Sequence, residues 1–298
     1  VGDVRGDVVA LDGEVSNSTK SELFRHAHPD RYFEMYIAEQ QMIAAAVGMQ
    51  VRGWRPFAST FAAFLTRAHD FLRMATISGA DVCVVGSHAG VAIGEDGPSQ
   101  MGLEDVAMFR ALHGSFVLYP CDANQTVRLV EQMASLPGIS YLRTNRGATP
   151  VIYSADQDFP IGGSRVLRTG DDVTLVGAGG TVHAALEAAQ RLAGDGIDAR
   201  VIDAYSVKPL DAQAMRTAAR ETSAIVTAED HRPAGGLGEA VLSALAGEPD
   251  TVVRTLAVTG MPGSGTPAEL LGEAGIDAAG ITSATHDVLA TRPAFATR

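Results

Sequence analysis

Apolar residues in this chain fall into short, nearly continuous runs that alternate with longer segments of helical period. VVALDG (8–13) reads as a buried strand and its turn, AEQQMIAAAVGMQVRG (38–53) as a helix, and DVCVVGSH (81–88) as a second buried strand. The intervening RPFASTFAAFLTRAHDFLRMATIS (55–78) reads as helix-like, because Phe57, Phe61 and Phe64 recur at helical spacing and at least two rings share a face. LEDVAMFRAL (103–112), SFVLYPCD (115–122), ANQTVRLVEQMASL (123–136) and ISYLRTNR (139–146) continue the strand-and-helix rhythm of an α/β layer with a mostly parallel sheet.

Residues 147–170 are richer in Gly, Pro and polar residues, which places a linker there. Beyond it DVTLVGAGG (172–180), TVHAALEAAQRLAGDG (181–196), ARVIDAYSVKPLD (199–211), AQAMRTAARETS (212–223), AIVTAEDH (224–231) and GGLGEAVLSALAG (235–247) repeat the pattern. The expected fold is therefore two consecutive α/β domains with mostly parallel sheets, residues 1–158 and a smaller domain over 159–298. The chain begins almost directly on structure, which suits either a domain whose upstream neighbour is encoded separately or a sequence trimmed at its start.

Hydrophobic residues at 46 % and charged residues at 19 % allow a sizeable core and argue against disorder. A formal net charge of -12 without a Lys/Arg run leaves no footprint for a nucleic-acid backbone. Cys83 and Cys121 sit in apolar runs and read as reduced core thiols. With neither an uninterrupted apolar span nor a signal-peptide layout, a cytoplasmic location is expected.

GSHAGVAIGEDGPSQM (86–101) follows a strand and interleaves five Gly or Pro residues with His88, Glu95, Asp96 and Gln100. That is the composition of a loop presenting polar side chains at the carboxyl edge of a parallel sheet, although a solvated turn has the same residue types. Glu39 opens a helix, where a carboxylate is ordinarily a solvated first-turn residue favoured by the helix dipole. Phe57 reads as core. LVGAGGTVHAAL (175–186) has the strand–turn–helix context of a dinucleotide fingerprint, with Asp203 downstream, but Val182 stands at the third glycine position.

Taken together, LDGEVSNST (11–19), AHPDRYFEMYIAEQ (27–40), ASTFAAFLTRAHD (58–70), GSHAGVAIGEDGPSQM (86–101), YLRTNRG (141–147) and AEDHRPAGGLGEAV (228–241) resemble the transketolase family. The resemblance covers essentially the whole chain and corresponds to the family's pyrimidine-binding and C-terminal domains. It implies thiamine diphosphate as cofactor, with Glu39 bonding the pyrimidine ring nitrogen from a low-dielectric pocket. The resemblance likewise implies that Phe64 and, more peripherally, Phe61 stack on that ring, and that Gln100 and Glu14 are cofactor contacts. It implies further that His88 bonds the donor sugar and is catalytic with Glu39, that Asp96 reads an acceptor hydroxyl, and that Ser18 and Arg146 grip a terminal phosphate. By the same resemblance the turn 177–180 in the second domain is architectural.

The family holds the diphosphate and its Mg2+ (or Ca2+) with a Gly-Asp-Gly turn followed downstream by Asn. Here Gly194-Asp195-Gly196 is the one such tripeptide and the last Asn is Asn145, so this tripeptide reads as a helix-ending turn. The diphosphate site is then expected on a separate N-terminal transketolase subunit, in an α2β2 assembly acting on sugars or sugar phosphates. Two departures stand out: Glu14 replaces the family's usual Asp, and part of the family's phosphate grip lies upstream of Val1. A β-type subunit of a 2-oxo acid dehydrogenase, a deoxyxylulose-phosphate synthase, and a non-catalytic binding or regulatory relative share this domain order.

Overall fold

Strands form where apolar runs are buried from both sides. The computed structural model describes residues 1–248 and 250–291. Its first six strands are β1 (Val8–Asp12), β2 (Tyr32–Glu34), β3 (Arg55–Phe61), β4 (Val82–Ser87), β5 (Phe116–Leu118) and β6 (Ile139–Arg143). They pair in the order β5-β6-β4-β3-β1-β2, all parallel. Every residue of β1 and of β6 is buried, the state that unbroken apolar strands reach only in a sheet covered on both faces.

The later strands are β7 (Arg165–Arg168), β8 (Val173–Gly177), β9 (Ala199–Asp203), β10 (Ser206–Lys208), β11 (Ala224–Ala228) and β12 (Val252–Leu256). Five of them make a second sheet, β12-β11-β8-β9-β7, in which β7 alone is antiparallel to its neighbour. β10 crosses over instead and pairs antiparallel with β5, becoming the seventh strand of the first sheet. The segment 199–211, continuous in sequence pattern, is therefore two strands in two sheets.

The helices are α1 (Ser16–Thr19), α2 (Ser21–Ala27), α3 (Glu39–Val51), α4 (His69–Ile77), α5 (Asp105–Ala111), α6 (Ala123–Met133), α7 (Thr181–Gly194), α8 (Ala212–Thr222), α9 (Leu237–Ala244), α10 (Pro267–Glu273) and α11 (Ala278–Thr291). Capping sets several of their starts: Asp122 accepts from the Gln125 N–H, Asp211 from the Ala214 N–H, and Thr266 with Glu269 forms a capping box. Gly194-Asp195-Gly196 ends α7 as the sequence implied. Ile197 N–H reaches the Leu192 carbonyl at 2.9 Å and Gly196 N–H that of Ala193 at 3.2 Å, with Gly196 at φ +80°.

One expectation is corrected. Residues 55–61 are a strand; a 3-10 turn over Ala62–Ala68 and α4 follow. A spacing of four satisfies both periods, and pairing decides: Ala58 lies between Leu11 of β1 and Val84 of β4, an environment in which the backbone must be extended. Phe57 packs beside the cluster of Cys83, Leu118 and Leu142, as core. Both cysteines are buried and free.

The two sheets share a core. Val176, Ala178, Ile202 and Ala204 from the second lie in one apolar cluster with Val117, Tyr119 and Tyr141 from the first. A hydrophobic seam of this kind fixes the second layer behind the first rather than leaving it hinged.

Candidate functional site at the carboxyl edge of the first sheet

Because β6, β4, β3 and β1 are parallel neighbours, their carboxyl ends at Arg143, Ser87, Phe61 and Asp12 line one edge. The loops leaving that edge carry most of the sequence-predicted residues: Arg146 after β6, His88 and the Gly-rich loop after β4, Phe61 and Phe64 at the end of β3, and Glu14 and Ser18 after β1. Asp12 shapes that last turn. Its buried carboxylate accepts from the Val15 N–H at 2.7 Å and from the hydroxyls of Thr19 and Ser21 at 2.6 and 2.7 Å.

Glu39 opens α3 and is only 2 % exposed, so it is not the solvated first-turn carboxylate that its position permits. Arg67 Nη1 donates to its Oε1 at 2.9 Å. The Arg67 guanidinium also lies 4.7 Å above the Phe64 ring; Phe64 stacks on Phe61 at 5.3 Å, and Phe61 on the His88 imidazole at 4.2 Å and 7°. One side-chain ladder thus runs from the Glu39 carboxylate to His88.

His88 is held at φ +56° with Nδ1 3.2 Å from Ser87 Oγ. Burial lowers its pKa, the Arg146 charge adds to that, and Asp96 opposes it. The imidazole is therefore neutral near neutral pH, one nitrogen donating and the other accepting. Arg146 Nη1 donates to the Ile93 carbonyl at 2.9 Å and meets Asp96 at 3.3 Å and Glu95 at 3.7 Å. Glu14, Ser18 and Gln100 stand outside the ladder. Glu14 is exposed at φ +63° with its N–H on Glu34 Oε1 at 3.0 Å, Ser18 is half-buried in α1, and Gln100 is half-buried where its N–H closes a turn on Gly97.

Sequence reasoning missed Arg67, whose signal was a cation one helical turn beyond Phe64. It also missed the buried pair beneath the edge. Arg143 Nε meets Asp105 Oδ2 at 2.8 Å with both side chains fully buried, and the Tyr141 hydroxyl donates to the same oxygen at 2.5 Å. Only burial, which pattern does not report for a strand-end Arg, reveals that pair.

In the second layer, Tyr119 from the first sheet packs onto Gly179, and its hydroxyl bonds Asn145 at 2.6 Å. The Gly-rich turn 177–180 thus seats the first layer. Asp203, the candidate ribose acid, is buried and engaged by Gln125 and Tyr153 at 2.8 Å each, which removes the dinucleotide reading. Among the described residues no cluster of three or more His, Cys, Asp or Glu is placed to hold a metal, and no helix is long and apolar enough to cross a membrane.

Polar side chains gathered on the carboxyl edge of a parallel sheet, with a second α/β layer packed against the first, make an α/β protein of two layers whose edge is a candidate ligand site. Comparison with known proteins narrows that class. Residues 1–151 match the model of the transketolase pyrimidine-binding domain and residues 162–281 that of the transketolase C-terminal domain. The chain belongs to the transketolase family. It is 50 % identical to transketolase of Homo sapiens over 286 residues, 95 % of this chain and 46 % of that protein, and equally to transketolase-like protein 2 of Mus musculus. The chain spans about half the length of the curated relatives it matches. Among solved structures it is similar to a chain described as split gene transketolase, inactive β4 tetramer, with a TM-score of 0.89 and 37 % identity over 98 % of this chain and 95 % of that one.

Proposed function

We propose that this chain is the pyrimidine-binding and C-terminal subunit of a split transketolase, with its domains meeting at residues 158 and 159. Paired with a separate diphosphate-binding subunit in an α2β2 assembly in the cytoplasm, it transfers a two-carbon ketol unit from a ketose to an aldose. The donor by default is a phosphorylated sugar of five to seven carbons. Family membership supports the reaction class. Coverage of 95 % of a split-gene subunit supports the division of labour, and that neighbour's inactive β assembly is the behaviour expected of this chain alone.

The observation that carries the reading is Glu39, a carboxylate 2 % exposed and joined through Arg67 to the half-buried ring of Phe64. These residues fit the pyrimidine end of thiamine diphosphate; the diphosphate and its Mg2+ or Ca2+ fall to the partner. When bound, the cofactor supplies a thiazolium carbon that becomes nucleophilic on losing a proton. This chain's residues prepare the surroundings. Glu39 offers a desolvated carboxyl group to the ring nitrogen, Phe64 fixes the ring plane and excludes water, and Phe61 backs both Phe64 and His88. Glu14 and Gln100 contact the cofactor from the rim. Neutral His88 and Asp96 orient the sugar hydroxyls, and Arg146 with Ser18 takes the terminal phosphate.

The test is reconstitution with the diphosphate-binding subunit and a ketol-transfer assay over phosphorylated and free sugars. Glu39→Gln is expected to abolish transfer with assembly intact. Full activity in that variant removes the role of Glu39, and transfer by this chain alone removes the division between subunits.

A further inference from the structure

The loop that carries Asp96 is held from the opposite layer. Residues 90–102 leave β4 and return to their starting point, where the Gly90 N–H donates to the Gly102 carbonyl at 2.9 Å. The first turn of the loop points two backbone N–H groups inward. Asp230, just past the end of β11 in the second sheet, meets both: Oδ1 accepts from Val91 at 2.7 Å and Oδ2 from Ala92 at 3.1 Å. The carboxylate is 2 % exposed, and Gly90, at φ +80°, leaves the space it fills, since a Cβ there would overlap it. Arg143 completes the clamp. Its Nη2 donates to the Gly102 carbonyl at 2.8 Å and to the Asp230 carbonyl at 2.7 Å, so one guanidinium ties the loop's base to the residue that holds its first turn.

What the loop carries explains why its placement matters. Arg146 is anchored to the Ile93 carbonyl and paired with Asp96, both on this loop. A shift in the first turn therefore moves the acceptor-reading carboxylate and the phosphate-gripping guanidinium together.

We propose that Asp230 is a positioning residue for the substrate end of the site: the second domain, which contributes none of the groups assigned to cofactor or sugar, sets the geometry of Asp96 and Arg146 through two charge-assisted hydrogen bonds to Val91 and Ala92. This rests on the substrate roles proposed above for Asp96 and Arg146.

The experiment has two arms, using Asp230→Ala and Asp230→Asn. The first is amide hydrogen exchange of the peptide spanning 89–97 in the chain. It is expected to lose about tenfold or more protection in the Ala variant and less in Asn, which retains one acceptor. The second is kinetics of the complex with the diphosphate-binding subunit. KM for the sugars is expected to rise about tenfold in the Ala variant, a larger effect than any loss of thiamine diphosphate affinity through Gln100 at the far end of the loop, with partial rescue by Asn. Thr222→Val, which removes a buried hydroxyl of the second domain bonded to Thr174 at 2.9 Å, is the control for general destabilisation. Unchanged exchange in both Asp230 variants overturns the proposal, as does a rise in KM that Thr222→Val reproduces at equal loss of stability. If wild-type complex shows no ketol transfer while exchange behaves as expected, the clamp stands and the proposed reaction falls.

Discussion

Arg67 and Glu39 meet at 2.9 Å across a boundary of exposure: the carboxylate side chain is 1 % exposed and the arginine side chain 50 %. The guanidinium also covers the Phe64 ring, so any group approaching the carboxylate from the mouth of the site shares it with Arg67. A pair with one desolvated partner lies between the surface and buried limits. The double-mutant cycle of Glu39→Gln and Arg67→Met is expected to give a coupling of roughly 1–2 kcal/mol in urea unfolding. A coupling near zero means that the contact does not hold Glu39.

Phe64 and Phe61 divide the work of the ladder. Phe61 is 6 % exposed and packed between ring neighbours, whereas Phe64 is half-buried. Phe64→Leu is expected to weaken thiamine diphosphate binding by up to about tenfold, the worth of one ring stack, with little change in stability. Phe61→Leu is expected to act chiefly on stability. Titration calorimetry on the complex and thermal unfolding of the chain separate the two.

Asp105 and Arg143 are both fully buried, and removing one charge strands the other. Burial pushes the Asp105 carboxyl up, but the Arg143 charge, with the hydrogen bonds from Arg143 and Tyr141, more than offsets it and holds the pKa below the usual carboxylate value. Asp105→Asn is expected to cost about 3–5 kcal/mol, measured by denaturant unfolding, and to loosen the loop base at Gly102 that Arg143 also holds. A cost under 1 kcal/mol means that the Arg143 charge is not stranded when Asp105 is neutralised.

Much of the fold was legible because burial on both faces leaves a continuous apolar run, and β1, β4, β6, β8 and β11 announce themselves that way. The stretch from Arg55 to Phe61 did not, since phenylalanines four apart satisfy strand and helix alike and only sheet neighbours choose between them. β10 was hidden for a different reason: nothing in YSVK records that its hydrogen-bonding partner is β5, nearly ninety residues back in the other layer. In the site, His88 and Asp96 were visible as polar residues among glycines beside a strand end, whereas Arg146 was reached only through the family resemblance. Arg143 and Asp230 act through where they are buried, and the half-exposed Arg67 through whom it touches, which composition does not encode.

His231 gives the fold a pH dependence whose sign follows from its surroundings. Burial depresses its pKa to about 4, outweighing the pull of Asp105, and Nε2 is occupied as acceptor for the Ala107 N–H at 3.4 Å. Below pH 6.5 the unfolded chain takes up a proton that the native state refuses, so stability is lost as pH falls from 6.5 towards 4. Glu229, pushed up to about 7 by burial, acts oppositely: its contribution is present below pH 4.5 and lost as pH rises through 7. The comparison of wild type with His231→Gln isolates the first effect. Wild type is expected to lose roughly 3 kcal/mol relative to the variant between pH 7 and pH 4 in urea unfolding. A pH-independent difference means that His231 does not titrate abnormally.

Arg146 tests whether the site selects phosphorylated sugars. Its guanidinium stands between two carboxylates, Asp96 at 3.3 Å and Glu95 at 3.7 Å, and bonds the Ile93 carbonyl at 2.9 Å. Lys20 is the second cation whose field reaches His88. Arg146 thus faces two carboxylates, and a phosphate dianion is welcome only while its charge offsets theirs. Arg146→Ala is expected to raise KM for a phosphorylated donor about ten- to a hundredfold, because it deletes a charge-assisted contact and leaves both carboxylates facing the phosphate. The free sugar makes neither the contact nor the repulsion, so its KM is expected to stay within about twofold. Arg146→Lys keeps the charge, loses the planar fork, and belongs between the two. Equal losses on phosphorylated and free donors assign Arg146 a different task, as a strut holding the loop through Ile93, and leave the phosphate to be bound elsewhere in the assembly.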